Sequence, residues 1–159
     1  MKALYVERSI EIDATPAEVW RVLTWPELTS QWAGEFGAAG PIESDWKLGG
    51  AVLWRNGKGE VYVHGRVTAV DPAKLLRFTV CDAARTRRPI SGLEKDEITQ
   101  SYALASLGAR TRLSTAHGDF AALPDGEELL PAVGALWDRL LPKLKALAER
   151  ARSLTRSTS

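Results

Sequence analysis

Apolar and polar residues alternate at the start of the chain. From Leu4 to Ile12, Leu4, Val6, Ile10 and Ile12 fall on one face with Arg8 as the exception, and Tyr5, Glu7, Ser9 and Glu11 fall on the other. This period of two predicts a half-buried strand. The period then changes. Thr15-Pro16-Ala17-Glu18 offers an N-cap, a proline suited to a first helical turn and a glutamate able to close a capping box, and Val19, Trp20, Val22 and Leu23 follow at helical spacing. Trp25-Pro26 ends that helix. Pro26 opens a second short helix with Leu28 and Trp32 inward, which Gly34, Gly37 and Gly40 stop.

From Pro41 to Gly118 the pattern is one of strands and turns. Ile42–Leu48 predicts a weak strand, Gly49-Gly50 a turn or bulge, and Ala51–Arg55 a strand leading to the hairpin signal Asn56-Gly57. Val61–Val70 is a long strand, Asp71-Pro72 turns the chain, and Leu75–Cys81 returns with Leu76, Phe78 and Val80 on one face. Asp82–Lys95 is a long polar loop; Ile98–Leu104 and Thr111–His117 make a last hairpin through Gly108. A long helix follows, from about Glu127 to Arg150, with Val133, Leu136, Trp137, Leu140, Leu144 and Leu147 painting one stripe. Pro142 is expected to kink it. Ser153–Ser159 is expected to fray, leaving one domain over residues 1–152.

Strands joined by short turns make an antiparallel sheet, and its buried face needs a partner. The helix stripe supplies it. The expected architecture is α+β: a curved antiparallel sheet wrapped around one long C-terminal helix, with two short helices between the first two strands and a cavity between sheet and helix.

Composition narrows the function classes. The chain has 159 residues, 45% apolar and 26% charged, with a net charge of +1. That balance gives no case for nucleic acid or an anionic membrane as partner. The lone cysteine, Cys81, excludes an intrachain disulfide. Charges interrupt the N-terminus too early for a signal-peptide core, and no apolar run approaches the about 20 residues that span a bilayer. The expectation is a cytoplasmic protein. Phosphate-loop and nucleophile-elbow motifs are absent, and two histidines with one cysteine predict no metal site and no cofactor.

The order and spacing of several motifs resemble a known family. These are Ile12-Asp13-Ala14-Thr15-Pro16-Ala17-Glu18-Val19-Trp20, Leu23-Thr24-Trp25-Pro26-Glu27-Leu28 leading to Trp32, Leu48-Gly49-Gly50, Gly65-Arg66-Val67 with Val70-Asp71-Pro72, Leu76-Arg77-Phe78-Thr79, and Thr111 to Phe120. From about Val6 to Ala148 the chain is similar to the START-like (SRPBCC) superfamily, and within it to homologues of the activator of the heat-shock chaperone ATPase. The resemblance implies a helix-grip fold with an internal cavity. It implies little chemistry, since one fold hosts many functions.

Three functions compete. In the first, the cavity binds a small apolar or aromatic molecule. Its contacts would be Trp32, Trp54, Phe78, Leu113 and Trp137, with Gln100, Tyr102 and His117 as the few polar groups. Gln100 and Tyr102 share parity with Ile98 and Leu104, and His117 shares the face of Thr111, Leu113 and Thr115, so these polar groups face inward if alternation holds. The plainer reading of His117 is a structural histidine tied to a loop carbonyl. The second function is a polyketide cyclase or hydrolase-like enzyme using His117 or Tyr102 as acid or base. The third is a chaperone ATPase co-regulator acting through an outer surface, which a large exposed apolar patch would support. His64 with Tyr62 and Arg66 reads as a solvated row, because Val61, Val63 and Val67 point in. Arg85-Thr86-Arg87-Arg88 reads as a solvated loop or as a positively charged lid. The oligomeric state is open, with a homodimer among the options.

Overall fold

The computed structural model describes residues 3–36, 39–82, 98–122 and 126–157. Strand β1, Val6–Ile12, buries Val6 and Ile12 and exposes Glu7, Ser9 and Glu11, as alternation requires. Helix α1, Pro16–Thr24, starts with a complete capping box: the Glu18 amide donates to the Thr15 hydroxyl and the Thr15 amide to the Glu18 carboxylate. Trp25 is extended because Pro26 follows it, and Pro26 opens α2, Pro26–Trp32. The expected stop at Gly34 is instead a tightening, as the chain runs directly into a 3-10 turn over Ala33–Phe36.

The sheet has the strands β2 Ala51–Arg55, β3 Val61–Asp71, β4 Leu75–Asp82, β5 Ile98–Leu107 and β6 Arg110–Gly118. Their order is β1-β6-β5-β4-β3-β2, and every neighbour is antiparallel. The weak strand expected over Ile42–Leu48 does not form; a single bridge, Glu43 to Leu53, stands in its place. Local bonds compete successfully with the ladder there. The Trp46 amide donates to Ser44 Oγ, the Lys47 amide donates to Asp45 Oδ1, and Trp46 takes a positive φ of 55°.

The last helix, α3, spans Gly126–Ser157 and continues through Pro131 and Pro142, both exposed. It therefore extends beyond the expected end at Arg150. Trp137, Leu140, Leu141, Leu144 and Ala148 form its buried stripe, packed against α1 and β1. The result is a helix-grip architecture, a curved six-stranded sheet closed over one helix. No helix among the described residues is long and apolar enough to cross a membrane. The polar loop with Arg85, Arg87 and Arg88 lies outside the described residues.

Gly65 of β3 lies close against the Thr79 backbone of β4. A Cβ there would stand 1.7 Å from the Thr79 carbonyl oxygen, a backbone atom that cannot swing aside. Gly65→Ala is expected to cost about 3 kcal/mol or more. The check is a fall in the urea midpoint at unchanged slope; a wild-type midpoint would show that the strands can part there freely.

Candidate functional site

The inward faces of β5 and β6 carry the site. Alternation buries Gln100 and Tyr102 on β5 and Leu113, Thr115 and His117 on β6. Register sets Gln100 opposite His117 and Tyr102 opposite Thr115, so four polar side chains form two adjacent cross-strand pairs under α3. Trp137 comes down onto them from the helix. Its indole N–H donates to His117 Nδ1 at 3.1 Å. His117 is thus tied to the helix rather than to a loop carbonyl. Tyr102 donates its hydroxyl to Gln100 Oε1 at 3.3 Å.

Phe36 stands in the middle of this interior. Its ring centroid lies 4.9 Å from Trp54, 5.5 Å from Trp137, 6.4 Å from Trp32 and 6.5 Å from His117. The sheet's curvature is what brings Trp54, on the far edge strand β2, into the same box as His117. Tyr102 lies 6.0 Å from Trp137 and 6.2 Å from Phe78. The turn carrying Phe36 is held on two sides. Tyr62 donates to the Phe36 carbonyl at 2.8 Å, and the Glu35 carboxylate takes Lys143 and Arg139 of α3. These two cations hold the Glu35 carboxyl below its ordinary range. Tyr62 is therefore half-buried and bonded, so the expected solvated row with His64 and Arg66 is broken at its first member.

Among the described residues three buried polar atoms have no protein partner: Trp54 Nε1, Gln100 Nε2 and Thr115 Oγ1. Each is costly to leave so. Trp32, by contrast, is fully buried with its indole N–H donating to the Val22 carbonyl at 2.7 Å. Phe78 and Leu113 are fully buried walls.

The ionisable groups inside are held neutral. Burial pushes His117 down to about 4 and raises the Tyr102 hydroxyl far above its ordinary value. Neutral His117 accepts at Nδ1, so Nε2 carries its proton, and no ring nitrogen is left to act as a base. Among the described residues no group of three or more His, Cys, Asp and Glu side chains is placed to hold a metal. A shallow open depression of ≈ 460 Å³ lies on the outer face of β1, β6 and β5, lined mainly by serine and alanine side chains.

Phe36 was not among the expected contacts, and Thr115 was expected on the inward face but not as a site residue. Thr115 shares the parity of His117 and was legible. Phe36 was signalled only as a large aromatic among Gly34, Gly37 and Gly40.

A family model described as "Activator of Hsp90 ATPase homolog 1-like protein" matches residues 13–149. The fold is shared with protein MLL2253 from Mesorhizobium loti, at TM-score 0.70 and 21% identity over 92% of this chain and 98% of that one. It is shared with the Aha1 dimer from Colwellia psychrerythraea, at TM-score 0.68 and 17% identity over 92% and 96%. CalU16 from Micromonospora echinospora follows at TM-score 0.65 and 17% identity over 96% and 88%. No curated protein matches the chain.

Two outcomes test the interior. Thr115→Val keeps the shape and removes the orphaned hydroxyl, so it should stabilise the free protein by about 1 kcal/mol; a comparable loss in thermal or urea unfolding would show that the hydroxyl is bonded. His117 remains neutral in the fold down to about 4, whereas the unfolded chain protonates near 6.5. Its contribution is therefore present above about 6.5, is lost as pH falls towards 4, and is flat below, for a total on the order of 3 kcal/mol. His117→Asn offers an amide oxygen to Trp137 without titrating. Wild type should lose that much relative to the variant over this window, and parallel stability curves would refute it.

Proposed function

The chain belongs to the family of activator of Hsp90 ATPase homolog 1-like proteins, and from that premise we propose that it binds a small apolar or aromatic molecule between sheet and helix. The observation that carries this reading is a set of orphaned polar atoms among the described residues: Trp54 Nε1, on a ring against Phe36, and Gln100 Nε2 and Thr115 Oγ1, on side chains paired across the strands with His117 and Tyr102. A pure packing core has no use for unpaired buried donors. A binding site has, because a ligand satisfies them. Pockets of this kind are apolar with few polar groups, and this interior has that composition.

In this reading Phe36 fills the site when no ligand is present. Its turn is pinned by Glu35 and Tyr62, yet its ring is only partly buried. A ligand enters by displacing that ring and then lies between Trp54 and Trp137, over Gln100 and His117. Trp32, Phe78, Tyr102 and Leu113 form the surrounding wall. Catalysis is disfavoured because His117 and Tyr102 are locked in neutral forms with their bonding committed. An outer-surface role, as the relationship to the Colwellia Aha1 dimer would suggest, finds less support. Among the described residues the exposed large apolar side chains are Tyr5, Trp25, Leu48 and Leu107; of these, Tyr5 and Leu107 lie at opposite ends of the β1–β6–β5 ladder, roughly 25 Å apart at strand rise, and do not share a patch.

Phe36→Ala tests the reading. It should destabilise the free protein by about 2–4 kcal/mol. Neutral aromatic probes should then recover about 2–3 kcal/mol at one-hundredfold excess over Kd, and raise wild-type Tm by less. Flat melting curves in both proteins across the probe panel would refute the proposal.

A further inference from the structure

The hydrogen-bonding groups of the interior are one-sided. Gln100 Oε1 already accepts from the Tyr102 hydroxyl and His117 Nδ1 from the Trp137 indole. What remains unpartnered is the Gln100 amide N–H pair, the Trp54 indole N–H and the Thr115 hydroxyl. The first two can only donate, and the third can donate. Gln100 and Thr115 are diagonal neighbours on the β5–β6 hairpin, since their cross-strand partners are His117 and Tyr102. Such neighbours are close enough to serve one acceptor atom.

The interior is also without charge. Its buried polar residues are threonines, Gln100 and His117; no lysine, arginine, aspartate or glutamate is among the buried described residues. A carboxylate would enter with no counter-charge, and an ammonium would meet hydroxyl oxygens but no anionic acceptor. Either would leave water for a site that cannot replace it.

We propose that the ligand is a neutral aromatic carbonyl compound. Its ring takes the place of the Phe36 phenyl between Trp54 and Trp137, and its carbonyl oxygen accepts from Gln100 Nε2 and Thr115 Oγ1. The proposal rests on the reading that the interior binds a small apolar molecule. It adds the polarity that such a molecule must have.

The test uses matched probes on one ring system: fluorenone, fluorene, fluorene carboxylate and 2-(aminomethyl)fluorene, whose benzylic amine is protonated at neutral pH. Tryptophan fluorescence of the full chain reports binding. Fluorenone should bind about tenfold more tightly than fluorene, the worth of one to two hydrogen bonds. The carboxylate and the amine should bind more weakly than either. The ketone stretch should fall in frequency on binding. In Thr115→Val, and separately in Gln100→Met, the preference for fluorenone over fluorene should drop to about twofold or less. Because Thr115→Val keeps the side-chain shape, it remains informative even if Gln100→Met fails to fold. Equal binding of fluorenone and fluorene, or tighter binding of the acid or amine, would overturn this proposal and leave the binding reading standing. Failure of all four probes to bind would overturn the binding reading and this proposal with it.

Discussion

An indole N–H buried under a helix must find an acceptor, and for Trp137 that acceptor is His117 Nδ1. This bond joins the middle of α3 to the inner face of β6. It fixes the His117 tautomer, which leaves the outer nitrogen as a donor. It also requires His117 to stay neutral, as burial independently does. The aromatic box assembles around this link, with Phe36 in edge contact with both Trp137 and His117. The polar character of the interior follows from these commitments: His117 Nδ1 holds helix to sheet, Gln100 Oε1 holds Tyr102 within β5, and donors are left over.

Those leftover donors oppose stability. Three unpaired buried atoms forfeit water without regaining a partner. The large apolar core around them, from Ile12 and Leu23 to Leu140 and Leu144, supplies the compensation. A fold that tolerates such groups in its centre departs from local consistency, and such departures are expected where a site binds something. Exposed ion pairs such as Arg8 with Asp138 contribute little to the balance. Glu35 differs, because its two α3 partners hold the turn that carries Phe36 into the box.

The sheet's curvature converts separate strands into one site. Trp54 on β2 and His117 on β6 are four strands apart in the sheet order, yet both touch Phe36. Gly65 lets the Thr79 carbonyl of β4 approach β3 where any side chain would block it.

Several features were determined by the sequence alone because they obey short-range rules. Thr15 and Glu18 form their capping box within one turn, and Pro26 separates two helices by local sterics. Alternation put Gln100, Tyr102 and His117 on inward faces, since a strand's side chains have a fixed period of two. The family and the helix-grip fold were legible from the spacing of motifs. Other features were decided only by tertiary structure. The stretch from Ile42 to Leu48 reads as a strand, but Ser44 and Asp45 bond the local backbone and Trp46 reaches the Thr24 carbonyl. Tyr62 reads as solvated until the Phe36 turn covers it. Phe36 itself has no periodicity to betray it. Its place at the centre depends on Trp54, Trp137 and His117, which lie up to about a hundred residues away and meet only when the sheet closes on the helix.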